Sequence, residues 1–141
     1  MHDFRNSYAR DGYVFPLDVM SQDEAAMLRA DYEAAELMLA GDDDKMRLLR
    51  LYPDRLLPAF SDLVRHRVIL DHVSQILGDD LMVWSADMFI KEPQSPKIVS
   101  WHQDLTSWGL DDATEITYWV ALSAARVASG SMQFVAGSHS A

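Results

Sequence analysis

His102 and Asp104 stand two positions apart in the run Trp101-His102-Gln103-Asp104, and the chemistry of this chain concentrates there. On an extended strand successive side chains point to opposite faces, so positions i and i+2 share a face while Gln103 points away. An imidazole and a carboxylate aimed the same way supply two of the three ligands of the facial triad. That triad holds non-heme Fe(II) and leaves positions open for a co-substrate and oxygen. The plain alternative is a surface histidine and aspartate on a polar turn, because His-x-Asp triplets also arise by chance.

Other candidate groups carry less. His66 and His72 lie in a helical zone at a separation that does not put them on one helix face, so both read as structural or surface histidines. Asp42-Asp43-Asp44-Lys45 lacks the glycine and distal glutamate of an EF-hand loop and reads as a solvated acidic turn. There is no cysteine, which excludes disulfides and thiolate metal sites.

Composition narrows the class. A chain of 141 residues, 49% hydrophobic, is one domain by length and has material for a core. Twelve Lys and Arg against 22 Asp and Glu give a net charge of −10, which argues against nucleic-acid and anionic-membrane partners. The start Met1-His2-Asp3-Phe4-Arg5 shows no signal peptide, and no apolar run approaches the ~20 residues that span a bilayer. A soluble, cytoplasmic protein is expected; the sequence does not disclose an oligomeric state.

The elements that must position His102 and Asp104 fall into two textures. Residues 1–80 are mainly helical. A short helix over 3–10 stops at Asp11-Gly12, and 13–17 is a short extended run. Ser21 and Glu24 form a capping box opening a helix over 23–40, with Ala25, Leu28, Tyr32, Ala35 and Leu39 on one stripe. Helices are also predicted over 58–64, begun by Pro58, and over 67–77, ended by Gly78. After Asp80 the pattern shifts towards period two. Strands are predicted over 81–91, 115–123 and 132–135, with an acidic connector over 109–114 and a tight turn at Ser129-Gly130.

Four landmarks, in order, resemble the phytanoyl-CoA dioxygenase family of Fe(II)- and 2-oxoglutarate-dependent oxygenases. They are Asp11-Gly12-Tyr13-Val14-Phe15-Pro16 with the helix opening after it, and the strand end Phe89-Ile90-Lys91-Glu92-Pro93. The third is Trp101-His102-Gln103-Asp104-Leu105 with Trp108 beyond, and the fourth runs from Ser129 to His139. The fourth is similar to a family segment ending Pro-Gly-Ser-His, with Ala136 in place of the proline.

The resemblance implies an α+β fold, with N-terminal helices packed on a double-stranded β-helix (jelly-roll, cupin-like) core. It makes residues 1–141 a single domain, of which 81–141 form the first part of that core. The family draws its third iron ligand, a histidine, and a 2-oxoglutarate-binding arginine from further downstream, so a C-terminally incomplete domain is expected. His139 matches the Gly-Ser-His segment rather than that ligand.

The implied reaction takes Fe(II), 2-oxoglutarate and O2, releases succinate and CO2, and hydroxylates an unactivated C–H bond of a small organic substrate. His102 and Asp104 would bind iron, and the carboxylate at Asp104 favours hydroxylation over halogenation. Lys91 and Trp119 match positions near 2-oxoglutarate, and Trp108 lies on a loop roofing the substrate pocket; for each, a solvated or packed side chain is the plain alternative. Trp84 and Trp101 read as packing. Two competitors remain: a non-catalytic jelly-roll module or pseudoenzyme lacking the distal His and Arg, and, more weakly, a cupin of other chemistry.

Overall fold

The computed structural model describes residues 4–111 and 114–140. Asp3, at the start of the first predicted helix, and Asp112 and Ala113, in the acidic connector, lie outside the described residues.

Local capping chemistry sets the helices. Helix α1 covers Phe4–Asp11, and the Gly12 amide closes its last turn on the Tyr8 carbonyl at 2.7 Å. Helix α2, Gln22–Met38, opens on the expected capping box. The Glu24 amide donates to Ser21 Oγ at 3.2 Å, and the Ser21 amide donates to Glu24 Oε2 at 2.7 Å. These bonds, the backbone one foremost, hold the Glu24 carboxyl below its ordinary range. Helix α3, Asp43–Leu51, corrects the reading of 42–45 as a solvated turn: Asp42 is its N-cap, accepting from the Lys45 amide at 3.1 Å. Two prolines start the short helices α4, Pro53–Leu56, and α5, Pro58–Leu63. Helix α6, Arg67–Leu77, has the predicted span and ends at Gly78.

Amphipathic faces of α2, α3 and α5 meet in one small core. Tyr32, Leu49 and Phe60 are buried at its centre, with the Tyr32 and Phe60 rings tilted at 5.9 Å. Leu28, Leu39, Leu57 and Leu63 surround them, and the second half of the chain adds Met88 and Leu122. The second half is tied down twice more. The Met88 amide donates to the Arg50 carbonyl at 2.8 Å, and Tyr118 Oη meets His72 Nδ1 at 3.0 Å. The His72 ring also stacks on Phe4 at 5.1 Å, joining α1 to α6. Among the described residues no helix is long and apolar enough to cross a membrane.

The expected jelly-roll core is not there. Among the described residues there is no strand and no sheet, so the α+β class and the predicted strands over 81–91, 115–123 and 132–135 are overturned. The protein is helices followed by irregular chain, broken by helix α7, Leu105–Trp108, and by 3₁₀ turns at Val127–Ser129 and Ser138–Ser140. The physical reason is pairing. Period-two hydrophobicity says which side chains would share a face, but a strand exists only where a second backbone meets its N–H and C=O groups in register. The long-range backbone bonds here, Met88 to Arg50 and Gly137 to Asp11, tie the second half to helices instead. Apolar side chains that a sheet would cover therefore stay in solvent, with Phe89 69% and Ile98 85% exposed.

Candidate metal centre

His102 and Asp104 do come together, by a different route from the one their spacing suggested. His102 lies on irregular chain and Asp104 sits in the right-handed helical region (φ −58°, ψ −44°) at the entry to α7. A turn, rather than the pleat of a strand, brings the pair into register. His102 Nε2 is 3.2 Å from Asp104 Oδ1, with both side chains part-exposed.

Each side chain of the pair is oriented by a neighbour. His102 Nδ1 lies 2.8 Å from the Ser100 carbonyl, so Nδ1–H donates there. Nε2 faces Asp104 Oδ1, donating to it when protonated and offering its lone pair to a metal only once that proton is displaced. Asp104 Oδ2 accepts from Thr117 Oγ1 at 2.6 Å, which leaves Oδ1 turned to the histidine. The Ser100 carbonyl, and after it the Asp104 carboxylate, hold His102 protonated to higher pH than an ordinary histidine. Beside them the Glu115 carboxyl has a buried Oε2 with no hydrogen-bond partner. Loss of water contact, and then the charge of Asp104, raise its pKa.

The two donors suit an octahedral cation. Adjacent ligands on bonds of about 2.1 Å at right angles stand about 3.0 Å apart, close to the distance across this pair. Among the described residues no group of three or more His, Cys, Asp or Glu could hold a metal ion. His139 is turned elsewhere, its Nε2 donating to the Ala9 carbonyl at 3.2 Å.

A cavity of about 340 Å³ opens beside the pair, lined by Trp101, His102, Gln103, Val135 and Ser138. Trp101, read from sequence as packing, is 68% exposed and forms one wall of it. Gln103, expected to point away, instead lines the same cavity and donates from Nε2 to the Ser138 carbonyl at 2.8 Å. The other predicted residues are dispersed. Trp108 is half-buried at the end of α7, and Trp119 is part-exposed on irregular chain. The Lys91 side chain lies across the 126–130 turn, its Nζ where a Cβ on Gly130 would stand. Sequence reasoning missed Thr117, Glu115 and the Ser100 carbonyl. Thr117 and Glu115 reach the pair through a chain reversal, and the Ser100 carbonyl is a local backbone group; none of the three leaves a periodic signal.

No curated protein and no solved structure matches the chain significantly. A family model does: that of phytanoyl-CoA dioxygenase (PhyH) matches residues 8–141, spanning the His102–Asp104 pair, the cavity and the Ser138 turn. The chain belongs to the phytanoyl-CoA dioxygenase family.

Proposed function

We propose that the chain is the iron-binding portion of an Fe(II)- and 2-oxoglutarate-dependent hydroxylase, with His102 Nε2 and Asp104 Oδ1 as two of the iron ligands. The observation that carries this is the pre-oriented pair. Its 3.2 Å spacing suits adjacent ligands, and its outward atoms are fixed by Ser100 and Thr117 within a chain of this family. When bound, Fe(II) would couple decarboxylation of 2-oxoglutarate, to succinate and CO2, with hydroxylation of an unactivated C–H bond by O2.

The residues of the chain do the holding. Ser100 fixes the imidazole tautomer that offers Nε2 to a metal, and Thr117 keeps Asp104 from rotating. Trp101 and Val135 give the cavity apolar walls that displace water around a small organic substrate. None of its lining residues is a lysine or arginine, which disfavours a phosphate-rich substrate. The family resemblance alone puts Lys91 and Trp119 with 2-oxoglutarate, as ammonium and indole donors, and Trp108 on the substrate side; none of the three lines the cavity. The carboxylate of Asp104 would take an iron position that a halide would need, which favours hydroxylation over halogenation. The reducing cytoplasm, where Fe(II) persists, suits this chemistry.

The test is succinate formation by the protein in its native length, supplied with Fe(II), O2 and 2-oxoglutarate. Iron-dependent turnover that is lost in both His102→Ala and Asp104→Ala supports the proposal. Turnover that survives both substitutions, or no succinate from the wild type under any iron loading, overturns it. The latter result favours a non-catalytic module.

A further inference from the structure

The segment 137–139 reaches two distant parts of the molecule at once. Towards α1, the Gly137 amide donates to the Asp11 carbonyl at 2.9 Å and His139 Nε2 donates to the Ala9 carbonyl at 3.2 Å. The His139 ring also lies against Gly12, so closely that a Cβ there would stand 2.4 Å from Nδ1, and it faces Tyr8 at 6.4 Å between centroids. Towards the metal pair, the Ser138 carbonyl accepts from Gln103 Nε2 at 2.8 Å. Gln103 is the one residue between His102 and Asp104, so its side chain anchors the backbone that carries both.

We infer that His139 is a positioning residue: through Ser138 and Gln103 it braces the His102–Asp104 turn against the C-terminal end of α1. This rests on the reading of that pair as a metal site. The need for such a brace follows from the fold. The turn lies on irregular chain with no sheet beside it, and a part-exposed segment of that kind keeps its two ligands aligned only if something outside it fixes its backbone. The hydrogen bond to Ser138 spans 35 positions of sequence and the one from His139 to Ala9 spans 130, so the brace is tertiary. His139 touches neither ligand and acts only through the chain of contacts.

The test uses the full chain with Co(II) as an oxygen-stable probe of the site. Gln103→Met keeps the length of the side chain and removes its donor. His139→Ala removes the ring, and His139→Gln keeps an N–H donor for Ala9. Gln103→Met and His139→Ala should each weaken Co(II) binding about tenfold, the usual effect of losing support outside the ligands. The double variant should be no weaker than the worse single one, and His139→Gln should stay close to wild type. Unchanged affinity in the single variants, or effects that multiply in the double, would overturn the inference.

A wild type that binds no Co(II) would refute the metal reading alone. The brace is then decided on the metal-free protein, by the ring resonances of His102 in NMR spectra. Displacement of those resonances by His139→Ala supports it, and identical resonances remove it.

Discussion

Gly12 offers a quantitative test of how His139 is held, with Gly41 as an internal control. Both have positive φ, +81° and +92°, so alanine at either costs about 1–2 kcal/mol of backbone strain. At Gly41 the new Cβ meets nothing within 4 Å, and that strain is the whole cost. At Gly12 it would stand 2.4 Å from His139 Nδ1, a separation side chains do not tolerate, so the ring must leave. Its departure forfeits the hydrogen bond to the Ala9 carbonyl, worth about 0.5–1.5 kcal/mol. Gly12→Ala should therefore cost about 2–3 kcal/mol and Gly41→Ala about 1–2 kcal/mol. The excess of about 1 kcal/mol amounts to roughly 2–4 °C in melting temperature for a chain of this size.

Urea unfolding followed by tryptophan fluorescence gives both values, provided the denaturant slopes agree. In a His139→Ala background the clash partner is gone, and the two alanine substitutions should then cost the same. The reasoning fails if Gly12→Ala is no more costly than Gly41→Ala, or if its excess persists without the His139 ring.

Three further outcomes are expected. Leu49→Ala opens a cavity at the centre of the core, where Leu49 is 1% exposed, and should lower stability by about 2–5 kcal/mol in the same unfolding assay. Thr117→Val removes the donor to Asp104 Oδ2 and should weaken Co(II) binding by about tenfold or more, with no change in the far-ultraviolet helix signal. The lowered pKa of Glu24 makes its contribution to α2 pH-dependent. A carboxyl with a folded-state pKa below its unfolded value, about 4.3 for glutamate, stabilises fully above that value and loses the contribution as pH falls through the folded one. Glu24→Gln should therefore flatten part of the acid limb of the stability curve below about pH 5, and an unaltered acid limb would contradict this.

The sequence disclosed what is local. The Ser21–Glu24 capping box, Pro58 at a helix start and Gly78 at a helix end are all short-range signals. Helices stand where those signals put them, with Arg67–Leu77 matching the predicted span. Asp42 shows the limit of such signals. An aspartate turn and an aspartate N-cap use the same bond to a following amide, and only Met46 and Leu49 beyond it mark the start of α3.

The second half departs from its period-two pattern because strands depend on partners. Trp84 and Phe89 have the alternation of a strand, yet no second backbone meets theirs, and both side chains remain exposed. The His102–Asp104 pair shows in the sequence as two residue types at a short spacing, but that spacing aligns side chains on a pleat and the chain supplies a turn. Thr117, Glu115 and Ser138 were invisible for the same reason as the missing pairing: each reaches the site by folding back from elsewhere in the chain. Trp101, expected to serve as packing, is exposed and stands in the cavity wall instead.

The most direct test of the central claim is an anaerobic titration of the native-length protein with Fe(II), read as bound metal per chain. One equivalent is expected in the wild type, with loss of tight binding in both His102→Ala and Asp104→Ala and helix content unchanged. Tight binding that survives both substitutions, or a wild type that retains no iron, would contradict it.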